Sequence, residues 1–118
     1  MLDLTASPDL IESVKRIIDE IEAEMKRTGF WSAEPLPDEA YQFHRAFAAD
    51  TMAFPQWLQF IFIPNVRRVL EAKGMLSSQS TVGIRAIREF DGYEDNDVLQ
   101  LVRLLNEFDK LCNKPWVG

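Results

Sequence analysis

The segment Phe47–Pro64 reads FAADTMAFPQWLQFIFIP, and it is the most informative part of this chain. It joins a polar turn to a helix that is apolar on nearly every side. Such a helix is either the buried centre of a bundle or a partner-binding surface. Pro55 suits the first turn of this helix, whereas Pro64 removes a backbone hydrogen bond and clashes with the carbonyl of Phe60. We therefore predict a kink near Ile63, or two shorter helices that meet there.

Two longer segments each carry one apolar stripe at helical spacing. The first begins at Ser7-Pro8, a favoured N-cap followed by a favoured first helical residue, and stops just before Gly29. The other runs from about Asp95 to Asn113. Its stripe consists of Val98, Leu101, Leu104, Leu105, Phe108, Leu111 and Cys112. Both segments are expected to bury this stripe against the central helix.

A short third amphipathic helix is predicted from Val82 to about Phe90, with Ile84, Ile87 and Phe90 directed inward. The apolar run 60–63 could also form a buried strand, but a lone strand would lack a partner. Three amphipathic helices around one apolar helix predict an all-α domain of bundle type. We expect one domain over residues 1–118, with residues 1–6 as a flexible tail.

Composition excludes several classes of protein. The chain has 118 residues, 47% of them hydrophobic and 27% charged, which is typical of one globular domain. Cys112 is the only cysteine, so no intrachain disulfide can form, and with His44 it leaves too few soft ligands for a four-ligand zinc site. We predict neither a metal nor a cofactor. No signal peptide or membrane span is apparent, so we expect a cytoplasmic protein without a membrane partner.

The net charge of −6 is uneven along the chain. Residues 1–58 hold five basic and eleven acidic groups, whereas residues 59–118 hold eight of each. An acidic chain repels the phosphate backbone, which counts against direct binding of nucleic acid. Five arginines could still form a local RNA-contacting cluster: Arg67, Arg68, Arg85, Arg88 and Arg103. The simpler interpretation is that they lie on solvated helix faces with local ion pairs.

Few residues suggest chemistry. His44 is the only histidine, and no acid or nucleophile stands at a recognisable spacing from it. Asp50 and Thr51 precede the apolar helix, where both side chains can hydrogen-bond to turn amides. A catalytic role for Asp50 would need a second group in a defined geometry, and none is evident nearby. We therefore favour a structural role over partner recognition, and partner recognition over catalysis.

A candidate interaction surface is predicted around the apolar helix. Its residues are Trp31, Phe47, Asp50, Thr51, Met52, Trp57 and Gln59. A buried Gln59 would need hydrogen-bond partners, for which the Phe60 carbonyl freed by Pro64 is one candidate. An exposed Trp57 would suit an interface anchor, because tryptophan dominates binding hot spots. Burial in the core is the stronger expectation for Trp57, while Trp31 is evenly balanced.

The stretch Asp50–Pro64, DTMAFPQWLQFIFIP, resembles the central signature of the YqcC-like family, small bacterial proteins of unassigned function. Supporting features are Trp31, Glu34-Pro35, Phe47 and a leucine-rich last helix with Asp109. Ala53 departs from the serine expected there. The resemblance implies a closed four-helix bundle in a bacterial cytoplasm, labelled by association with tRNA pseudouridine synthase C. The catalytic loop and mixed α/β fold of pseudouridine synthases are not recognisable here.

Three functions remain open. The leading hypothesis is a non-catalytic accessory protein with a protein partner, an RNA-modifying enzyme being one candidate. The second is an RNA-binding helper that uses the arginine cluster, and the third is a small enzyme that uses Asp50 and His44. A homodimer is expected if Trp57, Phe60 and Phe62 cannot all be buried within one chain.

Overall fold

The computed structural model describes residues 8–45, 47, 49–72, 80–93 and 97–113. The helices are α1 (Pro8–Arg27), α2 (Phe54–Trp57), a π-helical segment (Leu58–Phe62), α3 (Ile63–Glu71), α4 (Val82–Glu89) and α5 (Leu99–Cys112), with a 3₁₀ turn at Asp38–Tyr41. No strand occurs in these ranges. With 54–71 as one continuous helical segment, the fold is an all-α four-helix bundle, as predicted. None of the described helices combines the length and apolar character needed to cross a bilayer.

Helix α1 ends as its sequence predicts. Gly29 adopts a left-handed conformation, with φ of 83°. The Phe30 N–H donates to the Met25 carbonyl at 2.8 Å, and the Gly29 N–H donates to the Lys26 carbonyl at 3.3 Å. This pair of bonds satisfies carbonyls that the helix end would otherwise leave free. The predicted cap at Ser7 and the tail at residues 1–6 lie outside the described residues.

The continuous helical segment 54–71, the central helix, accommodates Pro64 through a change of hydrogen-bond pattern. The Ile63 N–H donates to the Leu58 carbonyl, five residues back, which is the π-helical spacing. Pro64 then lies in the first turn of α3, where an N–H is not required. The backbone stays in the right-handed helical region at Phe62 and Ile63. The predicted meeting of two helices near Ile63 coincides with the start of α3, whereas a kink there stays a prediction.

The core lies between α1, the central helix and α5. Helix α1 packs against α5 and α3, and α5 also contacts α4. Burying an aliphatic side chain contributes about 1.5–3 kcal/mol, so these contacts dominate the stability. The largest fully buried side chains are Ile18, Ile21, Met25, Leu58, Ile63, Leu101 and Leu105. The predicted stripes of α1 and α5 therefore face the core.

Helix α4 presents a different face from the predicted one. Ile84 and Ile87 are 61% and 58% exposed, so their predicted inward orientation is wrong, although Phe90 is buried as expected. The reason is close packing against α5: a Cβ at Gly83 would lie 2.7 Å from the Cα of Asn106. Small residues are needed on a face that approaches this closely, and the isoleucines consequently point outward.

Candidate interaction surface

An aromatic cluster forms the centre of the predicted surface. The ring of Trp57 lies 4.8 Å from Phe47, 5.8 Å from Phe54 and 5.4 Å from Phe62, between centroids. Phe54 and Phe62 are buried, whereas Phe47 and Trp57 are half-buried. Aromatic pairs at these separations add about 0.5–1.5 kcal/mol each beyond the burial of their area. Trp57 therefore belongs to the core on one side and to the molecular surface on the other.

Gln59 joins the connector after α1 to the central helix. Its side-chain carbonyl accepts from the Ser32 N–H, and its amide donates to the Ser32 carbonyl, both at 2.8 Å. The predicted bond to the Phe60 carbonyl is thus replaced by a pairing with a residue 27 positions away. Gln59 is buried, and neighbouring Trp31 is half-buried beneath the Lys26 ammonium, 5.2 Å from the ring centroid. Gln59 therefore supports the surface from within.

Asp50 and Thr51 close the loop that precedes α2. The Asp50 carboxylate accepts from the backbone N–H groups of His44 and Arg45, at 2.9 and 3.3 Å. These bonds, that from His44 foremost, lower the pKa of Asp50 below its ordinary value. The Thr51 hydroxyl donates to the Ala40 carbonyl at 2.6 Å. Met52, the next residue, is buried, so the loop is fastened at several points.

Phe47 stands at the edge of a cavity of about 230 Å³. It has φ of 57°, a conformation that is sparsely populated for bulky residues. Its ring faces the Arg85 guanidinium at 5.2 Å, and Arg85 also pairs with Glu89 at 2.8 Å. Met52 and Phe54 add apolar walls to the cavity. The structure thus brings Phe47, Met52 and Arg85 together, although the sequence analysis groups Arg85 with the possible RNA-contacting arginines.

Comparison with known proteins identifies the family. Residues 13–111 match the sequence profile of a family described as tRNA pseudouridine synthase C. The chain belongs to this family, DUF446. An uncharacterized protein of Haemophilus influenzae is 28% identical over 102 residues, which cover 84% of this chain and 92% of that protein. This likeness supports the resemblance to a small bacterial family without assigned function.

A second relative of this DUF446 chain is much longer. A protein named tRNA pseudouridine synthase C, from Pectobacterium carotovorum subsp. carotovorum, is 30% identical over 60 residues. These residues cover 51% of this chain but only 16% of that protein. No solved structure matches the chain with statistical significance.

The five arginines proposed for RNA contact occupy different environments in this DUF446 domain. Arg67 pairs with Glu22 at 2.7 Å and Asp19 at 2.9 Å, both on α1, so its charge is largely offset. Desolvation lowers the pKa of Arg67, but its hydrogen bonds and charge interactions with Glu22 and Asp19 outweigh this effect and raise the pKa overall. Arg85 is engaged by Glu89 and the Phe47 ring. The exposed members are Arg68, Arg88 and Arg103, on α3, α4 and α5 respectively.

His44 and Asp50 lie close together, but Asp50 contacts the backbone of His44. Both residues are exposed, and neither lines the cavity beside Phe47. The lowered pKa of Asp50 keeps its carboxylate ionised and engaged with loop amides. Within the described ranges, no group of three or more histidine, cysteine, aspartate or glutamate residues is arranged to hold a metal.

Asp109 is the residue whose role sequence reasoning missed. Its buried carboxylate accepts from the Ser80 hydroxyl at 2.5 Å and from the Gly83 N–H at 2.7 Å. It therefore caps the start of α4 from the neighbouring helix α5. Burial raises the pKa of Asp109, and burial together with the Asp109 charge raises the pKa of Cys112 to about 12. The available signal was an acidic residue placed between Phe108 and Cys112 in an apolar stripe.

Proposed function

We propose that this protein is a non-catalytic accessory domain that binds a tRNA pseudouridine synthase C. The observation that carries the proposal is the longer Pectobacterium relative, in which a segment similar to half of this chain accounts for 16% of a protein with that name. A related segment is thus covalently joined to a much larger polypeptide. Covalent linkage holds two surfaces at a high effective concentration, so it suits modules that otherwise associate as separate chains.

The half-buried aromatics supply anchors for such a contact. Trp57, Phe47 and Trp31 are each half-buried and packed against neighbouring side chains. Rigid aromatics of this kind lose little conformational entropy on binding and are frequent hot spots. The acidic first half of the chain also suits a basic partner, because an enzyme that holds tRNA must neutralise phosphates. Charge complementarity of this type accelerates encounter.

RNA binding is the second candidate, and three exposed arginines on three helices favour it. The net charge of −6 and the carboxylate partners of Arg67 oppose it. An electrophoretic shift with tRNA at low salt, lost when Arg68, Arg88 and Arg103 are changed to alanine, would establish this function. Absence of any shift at low salt would remove it. The enzymatic alternative requires Asp50 and His44 to act together, although the Asp50 carboxylate is occupied by hydrogen bonds from the backbone N–H groups of His44 and Arg45.

Co-purification from the host tests the proposal. The tagged protein is purified from lysates of the host with and without nuclease treatment. Synthase C is identified in the eluate by mass spectrometry. We expect synthase C in both arms, lost with Trp57→Ala and kept with Lys15→Ala, an exposed residue of α1. Thermal unfolding must show that Trp57→Ala is folded. Recovery that disappears with nuclease would replace this proposal with RNA association, and absence of synthase C from both arms would refute it.

A further inference from the structure

An exposed apolar face lies on α4 and the start of α5, away from the residues predicted from sequence. Ile84, Ile87 and Leu99 are 61%, 58% and 60% exposed. Single exposed apolar side chains are ordinary, whereas a contiguous group frequently marks a binding surface. Ile87 and Leu99 line the same depression and so form a contiguous pair, whereas Ile84 lies outside its lining.

This depression is a groove of about 360 Å³ between α4 and α5. Ile87 and Leu99 form its exposed sides. The deeper lining is apolar and consists of buried Phe90 with half-buried Val98 and Val102. The charged residues that line it are Asp91 and Asp97, both exposed carboxylates. The α4–α5 groove therefore combines an apolar interior with an acidic rim.

The groove is held in shape by contacts on both of its helices. Asp109 caps α4 through the Gly83 N–H at 2.7 Å, and Gly83 packs directly on Asn106. At the other end, the Arg27 guanidinium donates to the Asp97 carbonyl at 3.2 Å and lies 3.8 Å from its carboxylate. A preformed site loses little conformational freedom when it is occupied.

We infer that the α4–α5 groove receives an apolar side chain flanked by lysine or arginine on the surface of the synthase, an inference that rests on the proposed function. The apolar interior selects an apolar group, and the Asp91 carboxylate selects a basic neighbour, whereas the Asp97 carboxylate already lies 3.8 Å from the Arg27 guanidinium. A tRNA-binding enzyme is expected to carry such basic residues. The Asp91 carboxylate repels phosphate, which argues against RNA as the occupant. Arg88 and Arg103 lie outside the groove lining.

Titration calorimetry with purified synthase C from the same organism tests this inference. The variants are Ile87→Glu and Leu99→Glu, and the control is Gln100→Glu, which adds the same charge at an exposed position of α5 outside the groove. We expect the first two variants to bind the synthase with a dissociation constant raised roughly tenfold or more, and the control to bind it like wild type. Because all three positions are exposed, each variant should unfold near the wild-type temperature.

The outcomes separate the two proposals. If the synthase binds wild type and Ile87→Glu equally but binds Trp57→Ala more weakly, the groove inference fails and the proposed function stands. If the synthase does not bind wild type, both fail. Light scattering on the protein alone tests whether a second copy of the chain fills the groove. A dimer that Ile87→Glu dissociates would show that it does, and would overturn the assignment to the synthase.

Discussion

Asp109 shows how a single buried carboxylate can organise a neighbouring helix. Its two acceptor contacts, to Ser80 and Gly83, satisfy donors at the start of α4. We expect Asp109→Ala to lower the free energy of unfolding by about 1–3 kcal/mol, because it leaves a buried N–H without an acceptor. Urea unfolding measures this change, with exposed Glu107→Ala as the control on the same helix. Equal midpoints for Asp109→Ala and wild type would contradict the capping role.

The raised pKa of Asp109 gives its contribution a defined pH dependence. An acid whose pKa is higher in the folded protein binds more protons when folded, in the interval between the unfolded and folded pKa values. The stability due to this shift is present below the unfolded pKa and is lost as pH rises through the folded pKa. We expect the free energy of unfolding of wild type, minus that of Asp109→Asn, to fall as the pH rises above about 4. A difference that grows with pH would contradict the raised pKa.

Cys112 should be chemically inert in the folded protein. It is 1% exposed, and its pKa of about 12 leaves almost no thiolate at neutral pH. Only the thiolate reacts with disulfide reagents, so we expect labelling at a rate set by unfolding. Labelling by a thiol reagent, with and without urea, measures this. Rapid reaction without urea would show that the end of α5 is open.

At the scale of elements, the close approach of α4 to α5 depends on Gly83. A Cβ at this position would meet both the backbone and the side chain of Asn106 at 2.7 Å. We expect Gly83→Ala to cost about 1–3 kcal/mol of stability through overpacking. The exposed Arg88→Ala in the same helix is the control for unfolding experiments. A neutral Gly83→Ala would mean that α4 can move away from α5 without cost.

The connector after α1 is expected to depend on Gln59. Gln59→Ala removes both bonds to Ser32, and we expect a loss of about 1–2 kcal/mol. Since Trp31 adjoins Ser32, its fluorescence should become more accessible to quenching by iodide. A Trp57→Phe background, also applied to the control with intact Gln59, reduces the overlapping signal from Trp57. Unchanged quenching would show that the connector is held by other contacts.

Local chemistry explains which elements could be predicted. The end of α1 at Gly29 and the inward stripe of α5 could be predicted, because each signal depends only on residues that are close in sequence. Helix α4 offers two faces, one with isoleucines and one with small residues. Hydrophobicity favours the first, but the distance to α5 selects the second, and this distance is a tertiary property. The Gln59–Ser32 pairing joins residues 27 positions apart, so no local pattern predicts it.

In the whole molecule, some of the residues predicted for the interaction surface lie close together. The rings of Phe47 and Trp57 are in contact, which the sequence analysis did not predict. The exposed α4–α5 groove escaped prediction because it follows from the misassigned face of α4. The assembled molecule therefore carries an aromatic cluster, whose role as an interaction surface stays a prediction, and an apolar groove, which only packing reveals.

Direct titration of the purified protein into purified tRNA pseudouridine synthase C, without RNA, measures whether the two proteins bind each other. We predict a saturable complex with a Kd of about 10 µM or tighter, weakened by added salt because acidic and basic surfaces meet. Heat or mobility changes that appear only when tRNA is added would instead indicate RNA association. Absence of a complex at about 100 µM of each protein would rule out the proposed interaction.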